Sequence, residues 1–183
     1  MNFIKTDIEG VLIIEPCVFE DSRGYFFESY NEAEFVKNGI VNRFVQDNQS
    51  KSSYGVIRGL HCQTGGHAQA KLVRVLQGKV LDVAVDIRAG SPTFGRYVAV
   101  ELSEQNKRQL LIARGFLHGF AVLSDTAVFA YKCDNFYCKE AEAGVRFDDA
   151  SIGIKWPIPL EKIIISDKDR QLGALKDVPC YRG

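Results

Sequence analysis

The chain reads as a series of short apolar, β-branched and aromatic runs interrupted by Gly, Pro, Asn, Asp and Ser. Runs of that kind, bounded by turn residues, predict strands. VLIIEPCVF (11–19), GYFFESY (24–30), VIRGLHC (56–62), KLVRVLQGKVLDVAVDIR (71–88), RYVAVEL (96–102), RQLLIA (108–113), FLHGFAVL (116–123) and AVFAYKC (127–133) all fit. Gln77-Gly78 predicts a turn inside the longest run, and Ser91-Pro92 and Ser124-Asp125 mark loops. Many short strands at this spacing predict a sandwich or barrel rather than βαβ units. The one early helix signal is NEAEFVKNG (31–39), closed by Gly39. From about residue 140 the pattern is mixed, with a weak signal for a short helix near the C-terminus. Residues 1–183 are expected to form one domain, without repeats, low-complexity tracts or linkers.

Strand alternation assigns side chains to faces. Lys71, Val73 and Val75 share one face, and Leu72, Arg74 and Leu76 the other. His118 aligns with Phe120 and Val122, and Tyr131 with Phe129 and Ala127. A lysine, a histidine and a tyrosine are thereby placed on apolar faces, where each needs a partner or a chemical purpose.

Composition narrows the function classes. Lys+Arg and Asp+Glu balance at 23 each, which argues against a general nucleic-acid binder and leaves room for a local basic pocket. No apolar run approaches the ~20 residues needed to cross a bilayer, so no membrane partner is expected. The N-terminal MNFIKTDIEG has no sustained apolar stretch and does not read as a signal peptide. Cys17, Cys62, Cys133, Cys138 and Cys180 are odd in number and contain no C-x-x-C, as expected of reduced thiols in a cytoplasmic protein.

Two of the three histidines sit in glycine-flanked strand runs, Arg58-Gly59-Leu60-His61 and Gly115-Phe116-Leu117-His118-Gly119-Phe120. Histidine exchanges protons near neutral pH and also binds metals. A metal-binding cupin barrel would carry H-x-H with a nearby Glu on one hairpin. Here His61 is followed by Cys62 and Gln63, the next histidine is His67 in a glycine-rich segment, and Gln69 and Lys71 stand where a carboxylate would be sought. A protonated lysine beside two histidines repels a cation and supplies positive charge itself. The residues favour metal-free acid–base chemistry over a metal-dependent oxygenase. His61, Lys71, His118 and Tyr131 together suit proton abstraction next to a carbonyl, stabilisation of the enolate, and reprotonation.

The strings RGLHCQ, QAKLVRV, GKVLDVAVDIR, SPTFG, LSEQNKRQLLIARGFLHGF, YKCDNFY, IGIKWPI and SDKD resemble the dTDP-4-dehydrorhamnose 3,5-epimerase family, in consistent order from about Val11 to Asp169. The resemblance implies a mainly β double-stranded β-helix, the cupin-like jelly roll, with few short helices and neither metal nor cofactor. It implies epimerisation of a dTDP-4-keto-6-deoxy sugar at C3 and C5, the carbons flanking the ketone. On the motif positions it makes His61 the catalytic base, oriented by Asp169, and Tyr131 the acid. Lys71 and His118 become substrate contacts that stabilise charge. It assigns Arg23, Arg58 and Lys168 to the diphosphate, Tyr137 to stacking on thymine, and Glu28, Gln46, Asp47, Asn48 and Glu142 to further substrate contacts. It also implies a homodimer in which exchanged N-terminal strands bring Arg23 and Glu28 to the partner's pocket.

The chain departs from the family pattern at Cys62, where an aromatic is usual, at Ala113-Arg114, and at Arg146-Phe147-Asp148-Asp149. None of these removes a proposed catalytic group. Altered substrate preference, including epimerisation at one centre only, is a second expectation, and a non-catalytic sugar-nucleotide binding module a third. Cys62 has no dedicated base or cation in the sequence pattern and is not expected to act as a nucleophile.

Overall fold

The computed structural model describes residues 1–183, and the apolar runs become strands in it. In chain order these are β1 (Asn2–Lys5), β2 (Val11–Glu15), β3 (Phe19–Asp21), β4 (Gly24–Phe26), β5 (Gln46–Ser53), β6 (Ile57–Gln63) and β7 (Lys71–Gln77). There follow β8 (Lys79–Asp86), β9 (Tyr97–Ser103), β10 (Gln109–Ile112), β11 (Phe116–Val122), β12 (Thr126–Cys133) and β13 (Glu142–Gly144). The α-helices are α1 (Glu32–Lys37) and α2 (Asp167–Arg170).

One sheet has six strands in the order β1-β2-β10-β7-β12-β5 and the other five in the order β13-β6-β11-β8-β9. Neighbouring strands run antiparallel. Their inner faces meet in a core that takes Val73, Val75, Leu110, Ile112 and Phe129 from the first sheet. The second contributes Val80, Ala84, Val100, Leu102, Phe120 and Val122. The result is the mainly β jelly-roll barrel, and burying these two apolar faces is its chief stabilising term.

The outer faces are covered differently. Helix α1 lays Phe35 on Ile14, Leu72 and Leu111 of the six-stranded sheet. Asn31 caps that helix by accepting from Ala33 N and Glu34 N, and Gly39 ends it at φ +81°. Val145, Ile152, Leu175 and Val178 of the C-terminal segment pack on Leu60, Val83, Val85 and Leu117 of the five-stranded sheet. That packing carries α2 to the barrel's open side. No helix is long and apolar enough to cross a membrane.

Two expectations are corrected in detail, and one strand arises where none was predicted. The run 11–19 divides into β2 and β3 around Pro16, which has no N–H for a ladder. The run 24–30 is strand only through Phe26. With Phe19, Tyr25 and Phe26 all exposed, the β3–β4 hairpin pairs only with itself. The polar segment QDNQSKSS, which shows no strand pattern, forms β5 along the whole of β12.

Candidate active site

Glycine brings the two histidine strands together. A Cβ on Gly59 would lie 2.6 Å from the His118 carbonyl oxygen, and one on Gly119 2.7 Å from that of Arg58. Gly59 also has φ +112°, a conformation that side chains other than hydrogen rarely allow. With both positions free of side chains, β6 and β11 pair so that His61 stands opposite His118. Across the barrel, β12 pairs with β7 and β5, setting Tyr131 beside Val73 and Asn48, and Lys71 beside Cys133.

These side chains face a cavity of about 650 Å³ lined by Asn48, Arg58, His61, Lys71, His118, Tyr131, Lys168 and Asp169, with Phe120 and Phe129 as an apolar wall. Those two rings stack with centroids 4.1 Å apart. A recess of about 100 Å³ adjoins it through shared His61, Lys71, Tyr131 and Asn48, and adds Gln46, Cys62, Gln63, Gln69, Tyr137 and Glu142. No group of three or more His, Cys, Asp or Glu side chains is placed to hold a metal ion.

His61 and Asp169 form a pair, Nε2 to Oδ1 at 2.7 Å, with Asp169 buried. The Asp169 carboxylate also accepts the Gly59 N–H at 3.2 Å, and its own N–H donates to the Ser166 cap at 3.1 Å. Burial pushes the Asp169 carboxyl up. The bond and charge of His61, with the Gly59 and Ser166 bonds, outweigh it and hold the group below the usual value. A carboxylate accepting from Nε2–H leaves the lone pair on Nδ1, the nitrogen a base needs.

His118 is paired as well. Its Nε2 lies 2.9 and 3.1 Å from the two oxygens of Asp82, which is wholly buried. Burial lowers the His118 value, only partly offset by Asp82. Enclosure in the barrel likewise lowers Lys71, against the opposing pull of Cys133, Cys62, Asp82 and Glu142. Burial raises the Tyr131 phenol, keeping it a proton carrier rather than an anion at neutral pH. The Cys62 and Cys133 thiols are both pushed up to about 11 by burial, so Cys62 is protonated and poorly nucleophilic.

Glu142 gathers the outer groups. Its Oε2 accepts from Lys168 Nζ at 2.6 Å and from the Tyr137 phenol at 2.8 Å. Burial would raise Glu142, but those two bonds bring it below the usual carboxylate value. Arg58 donates from Nε to Ser52 at 3.0 Å.

Three of the candidates read from the sequence stand apart from both spaces. Alternation turns Asp47 to the outside of β5, where it takes Lys132 Nζ at 2.6 Å. Arg23 is exposed on the β3–β4 turn and paired with Asp21. Glu28 accepts from Asn31 Nδ2 at 3.0 Å. Asp82 was missed by sequence reading, although an acid inside the apolar run KVLDVAVD is itself a signal of a buried partner. Of the departures, only Cys62 reaches the recess. Arg114 pairs with Asp134 at 3.0 Å, and Arg146 with Asp148, away from the cavity lining.

Residues 5–177 match the family model described as dTDP-4-dehydrorhamnose 3,5-epimerase. The chain belongs to the dTDP-4-dehydrorhamnose 3,5-epimerase family. Members of this family are isomerases, and the barrel described above is their cupin-like jelly roll. The enzyme of that name from Shigella flexneri is 56% identical over 170 residues, covering 92% of this chain and 93% of its own. The crystal structure of the epimerase from Elizabethkingia anophelis NUHP1 superposes with a TM-score of 0.93 at 57% identity, covering 97% of each chain. The dTDP-6-deoxy-D-glucose-3,5-epimerase of Legionella pneumophila Philadelphia 1, solved in complex with dTDP-4-keto-L-rhamnose, gives a TM-score of 0.95 at 47% identity. That match covers 100% of this chain and 98% of the Legionella chain.

Proposed function

We propose that this epimerase converts dTDP-4-dehydro-6-deoxy-D-glucose to dTDP-4-dehydro-L-rhamnose by inverting C3 and C5, and that its own side chains perform every proton transfer. The observation that carries the reading is the His61–Asp169 pair at 2.7 Å, facing one cavity with Tyr131, Lys71 and His118. The 4-keto group acidifies both neighbouring carbons. His61 Nδ1 removes the proton, its imidazolium stabilised by Asp169. Lys71 and the Asp82-held His118 stabilise the enolate oxygen, and Tyr131 delivers a proton to the other face. No cofactor takes part.

Arg58 and Lys168 hold the diphosphate, Arg58 with a planar fork suited to phosphate oxygens. Tyr137 stacks on thymine, while Gln46, Asn48 and Glu142 contact the rest of the nucleotide sugar. Asp47 faces away from this group, tied to Lys132 on the outside of β5.

The active unit is a homodimer in which the N-terminal β3–β4 hairpin is exchanged across the interface, while β1 and β2 pair within their own chain. Arg23 and Glu28 lie outside the cavity of their own chain, and exposed Phe19, Tyr25 and Phe26 give their hairpin an apolar surface to bury. Five free cysteines support a cytoplasmic setting.

The test is incubation with dTDP-4-dehydro-6-deoxy-D-glucose in deuterated water without added metal. Deuterium at C3 and C5 is expected. Label at one carbon would replace the double inversion by a single-centre epimerase, and label at neither would overturn the enzymatic reading.

A further inference from the structure

The motif RGLHCQ ends in a glutamine to which the mechanism gives no part. Gln63 is 8% exposed and stands two residues beyond His61 on β6, on the same face of the strand. Its Oε1 accepts the backbone N–H of Cys138 at 2.8 Å. The preceding N–H, that of Tyr137, donates to Gln46 Oε1 at 3.0 Å. Two consecutive amides are thus held by two glutamines, one from each sheet of the barrel. Residues 134–138 belong to no helix or strand, so these side-chain acceptors replace the ladder that would otherwise fix the backbone.

We propose that Gln63 is a positioning residue for nucleotide recognition. Through Cys138 it fixes the backbone that carries the Tyr137 ring, and it does so from the strand that carries the base. The inference rests on the reading of Tyr137 as the thymine contact. Gln46 does not substitute for it: its Oε1 is taken by the Tyr137 N–H, and its Nε2 donates to Asn48 Oδ1 at 3.1 Å. Without Gln63 the Cys138 N–H loses its acceptor, and of the two consecutive amides only that of Tyr137 keeps one, while the other ties of the segment run through Asp134 and Asn135, ahead of the ring. The ring keeps its phenol bond to Glu142 but stands on a looser backbone, which must be ordered when ligand binds; this weakens affinity without touching the groups that move protons.

Calorimetric titration with dTDP, together with steady-state epimerisation, tests this. Gln63→Met removes the acceptor at similar length, whereas Gln63→Glu keeps an oxygen for the Cys138 N–H. Gln63→Met is expected to raise the Kd for dTDP and the KM by about tenfold, with saturated kcat within about twofold of wild type. Gln63→Glu should recover dTDP affinity to within about threefold, and in a Tyr137→Ala background Gln63→Met should add nothing further. An unchanged Kd in Gln63→Met, beside a weakened one in Tyr137→Ala, overturns the role of Gln63 alone. An unchanged Kd in Tyr137→Ala removes the stacking assignment and this inference with it. A full Gln63→Met effect in the Tyr137→Ala background shows that Gln63 acts by another route and overturns the inference too.

Discussion

Asp169 reaches His61 from 108 positions away in sequence and closes to 2.7 Å, with its second oxygen on the Gly59 N–H of the same strand. One carboxylate therefore fixes both the ring of the base and the backbone that carries it. Asp169→Asn preserves the shape and removes the charge that stabilises imidazolium. Epimerisation should fall on the order of 10²-fold or more, with circular dichroism unchanged. Activity within a few-fold of wild type would mean that His61 needs no anionic partner.

The two faces of the sugar can be separated by isotope. His61→Ala should abolish solvent exchange at both carbons. Tyr131→Phe retains the base, so a proton removed by His61 still exchanges with solvent and returns to the same face. That variant should keep exchange while net inversion drops by roughly 10²–10⁴-fold. Mass spectrometry of unconverted substrate from deuterated water reads the difference, and equal loss of both would take Tyr131 out of the acid role.

Lys71 sets the alkaline limit. Enclosure lowers its value below 10.5, and its stabilising charge is present only below that lowered value. As pH rises through it the charge is lost, so kcat should fall at a pH below that at which free lysine titrates. Lys71→Met should lose on the order of 3–4 kcal/mol of transition-state stabilisation. In that variant the same alkaline limb should vanish from the pH–rate profile. A limb that persists unchanged in Lys71→Met belongs to another group.

Stability in acid is carried in part by Asp86. It is wholly buried and accepts from Arg88 Nε at 2.9 Å and from Ser91 Oγ and Thr93 Oγ1 at 2.6 Å each. Burial pushes it up, but those bonds win and hold it at about 2, against 3.8 for a free aspartate. The folded state binds the proton more weakly, so the contribution is complete above pH 3.8 and is lost as pH falls through about 2. The shift corresponds to about 2 kcal/mol. Asp86→Ala should cost about 3 kcal/mol at neutral pH and flatten the acid limb of a denaturant-midpoint profile. A variant whose midpoint falls as steeply in acid as wild type would assign that limb elsewhere.

Mixing two dead chains tests the exchanged dimer. If Arg23 serves the partner's cavity, Arg23→Ala and His61→Ala chains refolded together regain activity, because one of the two sites in each mixed dimer then lacks both substitutions. If Arg23 serves its own chain, mixing restores nothing, and if it serves no site, Arg23→Ala is already active before mixing.

The barrel was legible because its core strands alternate or run apolar, and Lys71, His118 and Tyr131 stood out as polar groups on those faces. Strand β5 was not, since Gln46, Asn48, Ser50 and Ser52 face in and every outward residue is polar too. A strand lining a wet cavity rather than a core has no apolar period to read. Asp169 was legible only through resemblance: a four-residue helix leaves almost no periodic signal, and its docking depends on Val145, Ile152, Leu175 and Val178 finding the far sheet. The roles of Asp82 and Gln63 were not legible, because each finds its partner, the His118 ring or the Cys138 N–H, on a distant part of the chain.

The separation of His61 from its carboxylate bears on when the protein becomes competent. Closing a contact across 108 positions costs chain entropy, and the pair needs α2, which follows the last barrel strand in the sequence. A nascent chain with its first twelve strands in place already encloses the histidines but leaves the base unsupported. Competence for deprotonating a reactive keto sugar thus arrives with the C-terminal segment, and the catalytic rate doubles as a readout of completed folding.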